Sequence, residues 1–240
     1  MLYTQKKYLQ FLLKASNQHG VHSPFVYHLV TKCFYQKINK NFWKTFLNAK
    51  KHTQDSKKNN RKKISKIGEI SNKKAKLLIK IVSYFKPKNI LEIGTSFGLG
   101  TLAIKIGNSN SSIITIEECP ENSKVVQELF TKNNLNTIEI LHGNFSKTLS
   151  KVTQNNPLDF IYFNGNYTKQ TTLSYFNECL KTMNNESFFI FNDIYWNAEM
   201  QEAWSVIKNH SKVRVTVDVF YFGIVFFRKE QAKEHFKIRV

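Results

Sequence analysis

Asn89-Ile90-Leu91-Glu92-Ile93-Gly94-Thr95-Ser96-Phe97-Gly98-Leu99-Gly100 decides the reading of this chain. The first five residues form a short apolar run bounded by Pro87 on one side and a glycine on the other, as expected of a buried strand. Three glycines then follow in the spacing Glu-x-Gly-x3-Gly-x-Gly and lead into a helical pattern. Glycine admits positive φ and lets a backbone approach a ligand closely. A loop of this kind at the carboxyl end of a parallel strand is where open α/β sheets bind ligands.

Beyond the loop, apolar runs at 112–117, 137–141, 158–163 and 187–191 alternate with helical patterns at 98–107, 120–134, 145–152, 168–182 and 196–209. Strand–helix alternation predicts an α/β fold, a doubly wound, mostly parallel Rossmann-like sheet with helices on both faces. Two closing runs, 213–219 and 222–227, stand too close together for a crossover helix and should pair antiparallel. The second run ends at Glu117, 23 residues after Gly94. That spacing suits an acid that hydrogen-bonds a ribose hydroxyl. The loop is not GxGxxG, so a dinucleotide with its pyrophosphate fits less naturally.

Upstream, the residues read as a basic helical N-terminal cap, 1–86, preceding a cofactor-binding domain, 87–240. Residues 4–15 have a helical pattern. Gln18 to Pro24 is a break, from which Ser23 and Pro24 open a helix to about Tyr35. Residues 41–50 make a short aromatic helix candidate, 51–66 a basic flexible loop, and Ser71 caps a helix ended by Pro87. The net charge of +19 is segregated. Residues 1–86 hold 20 Lys and Arg against Asp55 and Glu69, whereas 87–240 hold 16 against 15 acids. The segregation points the first third toward something anionic. With Phe42, Trp43 and Phe46 beside the lysines, residues 37–66 are expected to make weak contact with nucleic acid or an anionic membrane. Cys33, Cys119 and Cys179 are isolated and no CxxC occurs, which supports neither zinc nor disulfides and suggests a cytoplasmic protein. No apolar run is long enough to span a membrane, and the start does not read as a signal peptide.

These motifs resemble, over residues 76–228, the class I S-adenosylmethionine-dependent methyltransferases, most closely their small-molecule, catechol-type O-methyltransferase branch. Glu92 to Gly98 is similar to the cofactor loop, and Ile116-Glu117-Glu118-Cys119-Pro120-Glu121 to the ribose motif. His142-Gly143-Asn144 stands where a Gly-Asp flanks the adenine. Leu158 to Tyr167 resembles "D-F-I-F-I-D-G-x-H", and Phe191-Asn192-Asp193-Ile194 resembles "D-D-I" after the fifth strand. The whole chain, including His19-Gly20-Val21-His22-Ser23-Pro24-Phe25, is also similar to a bacterial methyltransferase group associated with Bacteroidetes.

The resemblance implies S-adenosyl-L-methionine as cofactor, held by Glu92, Gly94, Thr95, Ser96, Gly98, Glu117, Glu118, Gly143, Asn144 and Asn164, and a small-molecule methyl acceptor. In metal-dependent relatives, acids at the ends of the fourth and fifth strands bind Mg²⁺. Here those positions are Asn164, Asn192 and Asp193, a poor set for a hard cation, so no metal is expected. Asp193 is the candidate base, with helix capping as its alternative role. His19 and His22 are the other catalytic candidates, if the N-terminal cap closes over the acceptor and presents an imidazole. The departures at Asn164, Tyr167 and Asn192 leave a second reading open. In it the chain is a catalytically degenerate protein of the same fold that uses its basic face on nucleic acid or membrane.

Overall fold

A computed structural model describes residues 2–59, 70–135, 137–155, 157–165 and 167–240. An eight-stranded sheet runs through it in the order β3-β2-β1-β4-β5-β7-β6-β8. The strands are β1 Asn89–Ile93, β2 Ser112–Glu117, β3 Ile138–His142, β4 Phe160–Phe163, β5 Phe188–Asn192, β6 Val215–Asp218, β7 Phe222–Phe226 and β8 Glu234–Lys237. β1 to β5 pair in parallel, while β7 is antiparallel to both β5 and β6, as the two closing runs require. β8 was not foreseen. It pairs in parallel with β6 at the sheet edge, and its alternation Glu-His-Phe-Lys carries too little apolar signal to read as a strand.

β4 and β5 are buried on both faces, which explains their unbroken apolar sequence. Alternate residues serve opposite layers. Phe160, Tyr162, Phe188 and Ile190 join one cluster, Ile161, Phe163, Phe189 and Phe191 the other. Across the β4–β5 pair Phe160 stacks on Phe188 at 4.6 Å and Phe163 on Phe191 at 4.2 Å. Aromatic pairs of this kind add about 0.5–1.5 kcal/mol beyond their area burial.

One layer holds α2 Pro24–Leu29 with its π-turn Val30–Phe34, α3 Lys40–Asn59, α4 Asn72–Phe85, α5 Leu99–Gly107 and α6 Pro120–Lys132. The other holds α1 Leu2–Lys14, α7 Phe145–Asn155, α8 Lys169–Cys179 and α9 Ala198–Asn209. The expected division at residue 86 therefore does not separate two cores. Val26, Leu29, Phe46, Ala75 and Leu78 share one cluster with Ile90, Leu102 and Phe160. The chain passes from one layer to the other around the sheet edge. Ser16 bridges to Ile238, accepting from Arg239 N at 3.0 Å, and Phe25 then packs on Phe226 at 4.9 Å.

The basic segment also differs from its expectation. Residues 51–59 continue α3, because Phe46, Ala49 and Thr53 form a buried stripe at helical spacing and the Thr53 hydroxyl bonds Ala49 O at 3.0 Å. A polar residue in that stripe hid it from a hydrophobicity reading. The remainder of the expected loop, 60–66, lies outside the described residues.

Candidate functional site

The chain reverses direction across the sheet between β1 and β4, so the loops after these two strands share one crevice at their carboxyl ends. Gly94 turns out of β1 at φ +98°, and Asn164 N donates to Ile93 O at 2.8 Å. A Cβ on Gly94 would stand 2.8 Å from Asn164 O, so the backbones of the two loops are in direct contact there. Gly98 closes the loop at φ +73° and caps α5, its N–H bonding Thr95 O at 2.9 Å. Thr95 is buried and its hydroxyl shares a 2.6 Å bond with that of Thr115.

Glu117 joins the loop to the end of β2. One carboxylate oxygen accepts from Ser96 N at 2.7 Å, the other from Cys119 N at 2.9 Å and Asn122 Nδ2 at 3.3 Å. Ser96 takes φ +52° to make its bond. Glu118 reaches the start of α7, accepting from Phe145 N at 2.7 Å and Asn144 Nδ2 at 3.0 Å. Gly143 turns there at φ +140° and bonds Glu117 O at 3.2 Å. Loop, Glu117, Glu118, Gly143, Asn144 and Asn164 are thus brought together along the ends of β3, β2, β1 and β4.

Glu92 sits differently from its expectation. Its side chain is fully buried beneath the loop, where one oxygen accepts from Thr101 and, at 2.8 Å, from Thr115. Glu92 therefore ties β1, β2 and α5 together and supports the loop from below. Burial pushes its carboxyl up to about 8, against the lowering effect of the two threonine hydroxyls. The other oxygen has no partner, and a Cβ on Gly100 would lie 2.7 Å from it.

On the β4–β5 side an amide chain crosses the crevice. Asn192 Nδ2 donates to Asn164 Oδ1 at 2.9 Å and to Tyr167 OH at 3.2 Å, while Asn164 Nδ2 donates to Gly94 O at 3.0 Å. Burial raises the Tyr167 phenol well above its ordinary range, and the Asp193 charge adds to this. Trp196, about half exposed, stacks on Tyr167 at 5.5 Å. Asp193 follows β5 in the left-handed region, φ +54°, with its carboxylate 2.6 Å from Lys74 Nζ. It does not cap α9; Asn197 does, accepting from Met200 N at 2.8 Å. Lys74 escaped the sequence reading. Its one local signal is a cation in the first turn of a helix, where the macrodipole disfavours it.

Two groups of expected residues lie apart from the crevice. His19 and His22 are exposed on the segment that rounds the sheet edge, fixed by Ser16 against Lys237–Arg239 and by buried Val21. β8 stands three strands beyond β5, roughly 14 Å at ordinary strand spacing, which sets both imidazoles apart from Asp193. Of the aromatics of the basic region, Phe42 is exposed while the other two are engaged within the fold. Phe46 is buried, and Trp43 lies between Phe46 at 5.3 Å and the Lys76 ammonium at 4.6 Å. A stacking platform for bases would need them outward.

The donor set does not fit a divalent cation. Asn164 Oδ1 already accepts from an amide and Asp193 from an ammonium. Among the described residues no three His, Cys, Asp or Glu side chains gather as a metal site, and no helix is long and apolar enough to cross a membrane.

The sequence model of a family described as O-methyltransferase matches residues 46–222. No curated protein matches significantly. Solved structures with the same fold include the SAH-bound methyltransferase PaMTH1 of Podospora anserina, at TM-score 0.64 and 16% identity over 87% of this chain and 97% of that one. The O-methyltransferase of Bacillus cereus in complex with SAH superposes at TM-score 0.61 and 18% identity, covering 80% and 94%. The O-methyltransferase TomG of Streptomyces achromogenes, involved in tomaymycin synthesis and solved with SAM, gives 0.61 and 15%, covering 85% and 95%. With its family match spanning 177 of 240 residues, from α3 through the glycine loop to the start of β7, this chain belongs to the O-methyltransferase family.

Proposed function

We propose that the chain transfers a methyl group from S-adenosylmethionine to a hydroxyl of a small, ring-bearing acceptor. The observation that carries the reading is the clasp of Ser96 by Glu117, which holds the Gly94–Gly98 loop and a carboxylate on one wall of the crevice. The glycines leave room for close backbone approach, and Glu117 keeps one acceptor site on Oε2 for a ribose hydroxyl beyond the bonds it already accepts. Asn144 and Glu118 border the adenine side. The fit is that of a nucleoside with a short polar tail. When bound, S-adenosylmethionine supplies an electrophilic methyl on a sulfonium sulfur.

The protein's own part is alignment and proton removal. Holding two reactants in register is worth up to roughly 7–11 kcal/mol of barrier. In this reading Asp193, at the end of β5, takes the acceptor's proton, and Trp196 with Tyr167 offers a flat aromatic wall beside it. The isolated cysteines, Cys33 and Cys179 buried, agree with a reducing cytoplasm.

Calorimetry with S-adenosylmethionine and S-adenosylhomocysteine tests the reading. Both should bind with one-to-one stoichiometry. A folded sample that binds neither refutes it.

A further inference from the structure

Lys74 on α4 and Asp193 just after β5 are 119 residues apart, yet they form a 2.6 Å ion pair with side chains only 14% and 25% exposed. Both residues pay a local penalty to be there. Lys74 lies in the first turn of α4, whose N-terminus Ser71 caps and whose dipole opposes a cation. Asp193 adopts a left-handed backbone at φ +54°, held by its N–H on Tyr221 O at 3.1 Å. A non-glycine residue kept in that region is strained, and such strain concentrates at functional sites. Beside the pair, the amide nitrogen of Asn192 donates to Asn164 and Tyr167, while its own buried oxygen has no partner.

These features have one common consequence. The crevice contains a positive charge, but it is covalently part of the protein. We propose that the Lys74 ammonium occupies the place of a divalent cation, so that this chain orients its acceptor oxygen by an internal cation and works without metal. The inference rests on the methyl-transfer reading above. Lys74 has three N–H donors, and its bond to Asp193 engages one. The others are available to an acceptor oxygen, and a cation beside a hydroxyl favours its deprotonated form. The O–H bond breaks, the proton passes to the Asp193 carboxylate, and the oxyanion remains facing Lys74. The pair is neutral before the acceptor enters, so a divalent cation would meet the repulsion of Lys74 with no uncompensated carboxylate to offset it.

The test uses the full chain stripped of metal with EDTA, and Mn²⁺ as probe, followed by calorimetry and by the electron-spin signal of free Mn²⁺. Wild type should show no saturable binding at millimolar Mn²⁺. Lys74→Glu removes the ammonium and adds a carboxylate beside Asp193 and the Asn192 oxygen, and should gain at least about tenfold in Mn²⁺ affinity. S-adenosylhomocysteine binding, measured on the same samples, reports separately on the cofactor site. Its absence in wild type sinks the methyl-transfer reading whatever Mn²⁺ does. If Lys74→Glu fails to fold, Lys74→Met carries the test with a smaller gain in the same direction. Saturable Mn²⁺ binding by wild type overturns the proposal, and so does a folded variant with no gain.

Discussion

Gly94→Ala probes the contact on which the site is built. The substitution adds one carbon at a residue with φ +98°, where an L side chain is strained by about 1–3 kcal/mol. That carbon would also stand 2.8 Å from the carbonyl oxygen of Asn164, 2.9 Å from its carbon and 3.1 Å from Gly165 N. All three atoms are backbone, so no rotamer change relieves the overlap. The loop after β4 would have to move, although Asn164 N is tied to Ile93 O at 2.8 Å. Overpacking of this kind typically adds 1–3 kcal/mol, giving about 2–6 kcal/mol in all. For a domain of this size that lowers Tm by roughly 4–24 °C. Urea titration followed by tryptophan fluorescence measures the loss, and calorimetry the S-adenosylhomocysteine affinity, which should fall with it. Gly165→Ala is the control. Its added carbon meets nothing nearer than 3.5 Å, and it should stay within about 1 kcal/mol of wild type. A Gly94→Ala protein as stable as Gly165→Ala, with its cofactor affinity intact, would refute the reasoning.

Glu117→Gln keeps the shape of the clasp but removes the charge that accepts from Ser96 N and Cys119 N. A charge-assisted bond is worth about 1.5–3 kcal/mol, so S-adenosylhomocysteine should bind roughly 10- to 100-fold more weakly by calorimetry. Unchanged affinity would remove Glu117 from the cofactor site. Glu92 gives a pH signature. Its carboxyl is raised from an ordinary 4.5 to about 8, so folding favours the protonated form. The contribution is full below 4.5 and shrinks as pH rises toward 8, because the unfolded chain loses the proton first. Wild-type stability relative to Glu92→Gln should therefore decline over that window by at most about 1.4 kcal/mol per pH unit and level off above it. A flat difference across the window in urea unfolding would show that Glu92 is not held neutral.

Much of this protein is legible without coordinates, for reasons that are local. The run 89–100 shows a strand, a glycine turn and a helix start within twelve residues, and Glu117 follows at a spacing set by one helix and one strand. Strands β1, β4 and β5 carry apolar runs because both faces are buried, and α2 and α4 announce themselves through Ser23 and Ser71. What escaped is what no local pattern encodes. The edge strand β8 has little apolar signal, and α3 runs past residue 50 on a stripe completed by Thr53. His19 and His22 look catalytic in sequence, yet the chain's passage around the β8 edge carries them away from the crevice. Glu92 belongs to the cofactor motif, but the pleat turns it under the loop onto Thr101 and Thr115. The sequence alone thus determined strands β1 to β7, the glycine loop and its acidic partner, because periodicity and short spacings are properties of neighbouring residues. The tertiary structure alone decided that Lys74 faces Asp193, because that contact depends on how α4 packs against the end of β5, across 119 residues of chain.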